Sequence, residues 1–60
     1  MKTKINIGDQ VSINDAKSMF NGKAGVVVGE MTPTELLVTI LVEGHNRTVI
    51  VPRRGLTVID

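Results

Sequence analysis

The sequence predicts a small all-β domain, a single five-stranded barrel with one helical turn before the last strand. Three observations predict it. Hydrophobic residues make up 42% of the 60 residues, and nearly all are Val, Ile and Leu, which fit a pleated, half-buried surface. Gly8, Gly22, Gly25, Gly29, Gly44 and Gly55 cut the chain into short β-branched runs, the spacing of an all-β sandwich or barrel. No apolar pattern at i, i+3, i+4, i+7 persists long enough for a stable helix. The best helical fragment, Asn14 to Met19, is little more than a turn.

The first strand is expected at about Gly8–Asn14, with Val11 and Ile13 on one face and Gln10 and Ser12 on the other. Gly8-Asp9 suits the turn that starts it, because an Asp side chain bonds nearby backbone N–H groups. A loop over Asp15–Asn21 carries Lys17, Met19 and Phe20, with Phe20 expected to plug one mouth of the barrel. The second strand runs from about Ala24 to Met31, with Gly25 marking a bulge or tight bend. Thr32-Pro33-Thr34 turns the chain, since Pro33 fixes its own φ and restricts Thr32. The third strand, Glu35–Glu43, carries the strongest signal. Gly44-His45-Asn46 is expected to turn into a fourth strand at Arg47–Val51. Pro52-Arg53-Arg54-Gly55 gives the helical turn and Leu56–Ile59 the last strand. Residues 1–7 form a short N-terminal extension and 8–60 the barrel. Five short strands with a helical turn before the last is the layout of an SH3-like barrel.

Composition narrows the chemistry. A chain this short buries only about 60% of its unfolded surface. It has no Cys and a single His, His45, so disulfides, thiolate zinc sites and imidazole clusters are excluded. No signal-peptide core or spanning apolar run is present; the longest run, Leu36 to Val42, is interrupted by Thr39. A cytoplasmic domain without membrane contact is the expectation. Asp9, Asp15, Glu30, Glu35, Glu43 and Asp60 fall at turns or strand ends, without the paired, differing environments that acid–base catalysis needs. Gly22-Lys23-Ala24-Gly25 leads into a strand, whereas a phosphate loop leads into a helix. No catalytic residue, metal site or cofactor is therefore assigned, and the chain reads as a non-enzyme. With Phe20 the sole aromatic residue, neither a Pro-rich-peptide groove nor a methyl-lysine cage can be built.

Gly8-Asp9-Gln10-Val11-Ser12-Ile13, then Phe20-Asn21-Gly22 and Gly25-Val26-Val27, resembles the KOW motif of NusG-type transcription factors and some large-subunit ribosomal proteins. The resemblance continues through Leu36–Val42, Gly44 and Val49-Ile50-Val51 to Leu56 and Ile59. It implies the fold of the NusG carboxy-terminal domain and contact with RNA or a protein of the transcription or translation machinery. In that family, aromatic residues near the turn and the last loop contact protein partners; Glu43 and Arg53 stand at those positions here. A weaker resemblance, in Gly8-Asp9-Gln10-Val11 and Ile50-Val51-Pro52 with Leu56 and Ile59-Asp60, is to the plasmid-encoded trimethoprim-resistant dihydrofolate reductases. Their active strand carries Val-Gln-Ile-Tyr; Thr48-Val49-Ile50-Val51 stands here, retaining only Ile50, so the activity is not expected.

Two sets of residues remain as candidates. Seven Lys/Arg against six Asp/Glu give a net charge of +1, so any basic surface must come from clustering. Arg47, Arg53 and Arg54, joined by Lys17, Lys23 and the loop around Phe20, form the expected RNA or partner site, since Arg forks suit phosphates. A basic edge that merely discourages strand pairing explains the same residues. Leu37, Leu41 and Ile50 form the second set. With Leu36, Val38, Ile40 and Val42 filling the barrel, the third strand is apolar on both faces, and such a strand is normally covered on both. The alternative function is accordingly a structural subunit that forms a homo-oligomer or docks on a larger complex.

Overall fold

The computed structural model describes residues 4–59. Five strands, β1 (Gln10–Ile13), β2 (Ala24–Thr32), β3 (Glu35–Val42), β4 (His45–Pro52) and β5 (Leu56–Val58), form one antiparallel sheet in the order β4-β3-β2-β1-β5. A single 3-10 turn, Arg53–Gly55, precedes β5 as the sequence predicts. β4 and β5 are the two edges of this sheet.

Register follows from side-chain alternation. Val38 pairs with Val27 on one side and Val49 on the other, and Leu36 pairs with Val51. Val11 pairs with Gly25 and Val58, and Ile13 with Leu56. These positions share one face, and Val11, Ile13, Val27, Leu36, Val38, Ile40, Val51 and Leu56 form a single buried cluster fed by all five strands. A one-residue slip in β3 would exchange Leu36, Val38 and Ile40 for Leu37, Thr39 and Leu41, so burial fixes the register.

β2 departs from simple alternation. The pairing shifts between Val27 and Gly29 and again between Glu30 and Thr32, leaving Val28 and Met31 about half exposed. The expected irregularity at Gly25 lies instead at these two positions, and Gly25 pairs regularly with both neighbours. Its glycine is required by close approach: a Cβ there would lie 2.5 Å from the Thr39 carbonyl oxygen and under 3 Å from Ile40 and Val38 side chains.

The β3–β4 turn is one residue earlier than the sequence suggests. Glu43 (φ 51°) and Gly44 (φ 80°) form a two-residue type I′ hairpin turn, the kind that matches strand twist. His45 and Asn46 therefore belong to β4. The 4–9 segment is folded: Ile5 packs against the core, and Gly8 N–H donates to the Val27 carbonyl at 2.8 Å. Asp9 accepts from the Asn6 backbone N–H at 2.8 Å, the turn expected of Gly8-Asp9. Residues 1–3 of the expected extension lie outside the described residues.

Candidate interaction surface

The basic residues occupy separate places. Arg53 is held as a clamp. Its Nε donates to the Pro33 carbonyl at 2.7 Å, Nη1 to the Ile5 carbonyl at 3.2 Å and Nη2 to Glu30 Oε2 at 2.8 Å. Three elements meet there: the N-terminal segment, the end of β2 and the β2–β3 turn. A guanidinium fork can span them because its donors are fixed in one plane. Arg47 pairs with Ile40 near the hairpin, and six extended residues at about 3.4 Å each put roughly 20 Å of strand between it and Arg53. The fold does not bring these two arginines together.

Arg54 and Lys17 border the same cleft. With Asn14, Asp15, Pro52 and Gly55 they line a cleft of about 290 Å³ between the loop after β1 and the 3-10 turn. Asn14 N–H donates to the Gly55 carbonyl at 2.7 Å, which ties these two segments together. Asp15 organises the loop, accepting from Lys17 N–H at Oδ1 (3.0 Å) and from Ser18 N–H at its carbonyl (2.9 Å). Phe20 is half-buried and packs against the core, with its own N–H donating to Ser18 Oγ. Lys23 is exposed where the chain enters β2, its backbone bonded to Ile13 and Phe20.

The apolar candidates gather on one surface. Pairing across β2, β3 and β4 places Gly29, Leu37 and Ile50 in one row and Val26, Thr39 and Thr48 in the next, with Leu41 opposite Asn46 beyond them. All face away from the core. Leu41 is 63% exposed, Ile50 51% and Val26 38%. Leu37 is less exposed because it lies across Gly29, where a Cβ would come within 3.2 Å of its Cδ1. The Thr39 and Thr48 hydroxyls at the centre bond each other at 3.1 Å. Among the paired positions of this face, Glu35 at the β2–β3 turn end is the sole ionisable side chain.

Val26 was hidden in the sequence within Val26-Val27-Val28, where three consecutive valines cannot by themselves say which one faces inward. Arg53 as a clamp was equally hidden, because two of its partners are backbone carbonyls that carry no sequence signal. Among the described residues, no group of three or more His, Asp or Glu could hold a metal ion, and no helix is long and apolar enough to cross a membrane. Comparison with protein-family models and with curated proteins finds no match to this chain.

Proposed function

We propose that this domain is a non-enzymatic assembly module whose working surface is the outer face of β2, β3 and β4, and that its partner is a second copy of the chain. The observation that carries the reading is three exposed apolar side chains, Leu41, Ile50 and Val26, one from each strand around the Thr39–Thr48 pair, on a face almost free of charge. Depletion of charge marks the centre of protein interfaces, and large exposed apolar patches mark interaction sites. The polar pair in the middle, Thr39 and Thr48, shares one hydrogen bond, so covering it leaves a single hydroxyl donor for the partner to meet. An interface of ordinary size takes about 800 Å² per partner, close to a fifth of this chain's 4251 Å². The neutral face is the surface that can supply most of it.

The module is proposed to close as an SH3-like barrel of KOW type. All five strands feed one core cluster, and Gly25 lets β2 coil tightly against β3; both support that reading. Light scattering across micromolar to millimolar concentrations tests the function. The unmodified chain should pass from monomer to dimer, and a Leu41→Asp, Ile50→Asp double variant should remain monomeric while still folded. A monomer at every concentration would refute the proposal.

A second reading, contact with RNA, is supported by Arg54 and Lys17 lining one cleft. Arg54→Glu with Lys17→Glu should abolish retention on RNA at low salt, since such contacts are salt-sensitive. Failure of the unmodified chain to bind at low salt would end this reading.

A further inference from the structure

We infer that two copies of the chain join edge to edge through β4, antiparallel, about a two-fold axis at Thr48. The inference rests on the self-association part of the reading above and concerns the β4 edge of that surface, where Thr48 and Ile50 would stand at the seam. It starts from the parity of the β3–β4 ladder. A two-residue turn at Glu43-Gly44 makes Val42 and His45 a hydrogen-bonded pair, and such pairs alternate along an antiparallel ladder. Arg47, Val49 and Val51 therefore point their backbone groups at β3. The Arg53 N–H continues the series, donating to the Thr34 carbonyl at 2.8 Å. The intervening residues, Asn46, Thr48 and Ile50, point theirs outward from the sheet edge.

That outward row is a pairing template, and its parity restricts the registers a second copy can take. With the axis at Thr48, Thr48 faces Thr48 of the second copy and Asn46 faces Ile50, so every outward N–H and C=O finds a partner. Side chains agree. Arg47 falls opposite Val49, and Pro52, which has no N–H to give, falls opposite Gly44 beyond the pairing. Moving the axis one residue toward the hairpin sets Arg47 against Arg47, and like charges directly opposite are destabilising. Moving it the other way sets Val49 against Val49 but brings Pro52 opposite Asn46, where a donor is missing. The axis at Thr48 avoids both faults. It also runs the Thr39–Thr48 row through both copies and flanks Ile50 with Leu37 on one side and Asn46 of the second copy on the other.

Single cysteines read the register directly, because the chain has none of its own. Opposed residues of a hydrogen-bonded pair have Cα atoms about 5.5 Å apart, within the range a disulfide spans. Arg47→Cys, Thr48→Cys and Val49→Cys are each equilibrated in a glutathione redox buffer at a concentration where the protein is dimeric, and folding is checked by circular dichroism. The expected result is a covalent dimer for Thr48→Cys, with at least a tenfold smaller yield at the two neighbours. An Arg47→Cys, Val49→Cys double variant should also give a covalent dimer, since its thiols lie on the core-side face and meet only when the β4 edges pair. A Thr48→Cys dimer without the double-variant one would overturn edge pairing in favour of outer-face contact. Preferential cross-linking at Arg47→Cys or Val49→Cys would overturn the register. Absence of selective cross-linking while light scattering shows a dimer would overturn edge pairing and leave the outer-face reading standing. A monomer throughout would overturn both.

Discussion

Two glycines in the same strand should respond very unequally to one added methyl group. At Gly25 the new Cβ would stand 2.5 Å from the Thr39 carbonyl oxygen, 2.7 Å from Ile40 Cγ2 and 2.8 Å from Val38 Cγ1. Val38 and Ile40 are 0% and 1% exposed, so neither can swing into solvent, and the carbonyl belongs to the sheet backbone. Overpacking usually costs about 1–3 kcal/mol and occasionally more; three simultaneous contacts below 3 Å place Gly25→Ala at the upper end, about 3 kcal/mol. The reduced entropy of the unfolded chain returns only about 0.4–1 kcal/mol. At about 0.05–0.15 kcal/mol per residue, a chain of this length has roughly 3–9 kcal/mol in all.

At Gly29 the nearest atom is Leu37 Cδ1 at 3.2 Å, the mobile end of a side chain on the open face. Gly29→Ala should therefore change stability by less than about 1 kcal/mol, with strain and entropy nearly cancelling. The chain has no Trp or Tyr, so far-UV circular dichroism under heat and urea is the suitable probe. For a domain of this size 1 kcal/mol moves the midpoint by about 4–8 °C, which predicts a fall of roughly 10–20 °C for Gly25→Ala. Stabilities within about 1 kcal/mol of each other for the two variants would refute the close-approach account of Gly25.

Three further outcomes are expected. Arg53→Lys should lower stability by about 1–2 kcal/mol despite keeping the charge, because an ammonium cannot span Glu30, Pro33 and Ile5 together; thermal denaturation checks this, and an unchanged midpoint would free Arg53 for a partner role. Glu43→Asn should stabilise by about 0.5–1 kcal/mol, since Asn tolerates the left-handed backbone that Glu43 adopts at φ 51°; a urea titration should show the midpoint rise at constant slope. Phe20→Ala should cost about 1–3 kcal/mol, less than a fully buried Phe, and should leave any RNA retention at low salt unchanged if the ring serves as a plug.

Much of the strand layout was legible because its causes are local. Alternation in Val11-Ser12-Ile13 and Leu36 to Ile40 names the buried face, and Pro33, Gly44 and the Pro52–Gly55 segment mark where strands must end. The sequence puts the turn at Gly44–Asn46, whereas the chain turns at Glu43-Gly44 and β4 begins two residues earlier than expected. The reason is that Glu43 is an uncommon choice for a positive φ, and only the geometry of the loop shows that it is used. The candidate site was legible unevenly. Leu37, Leu41 and Ile50 stood out as surplus hydrophobicity, and the register puts them on one face. Arg47, Arg53 and Arg54 look like a cluster in the sequence, yet strand length separates Arg47 from the others.

The sequence by itself determined that the chain is an all-β domain with more aliphatic side chains than one core requires, since period and composition are carried by each residue and its near neighbours. Tertiary structure alone decided which of three adjacent valines faces inward, why Gly25 must lack a side chain, and that Arg53 closes a clamp. Each of those depends on atoms brought together from distant parts of the chain. Val26, Val28 and the Thr39–Thr48 pair acquire their roles only when β2, β3 and β4 lie side by side.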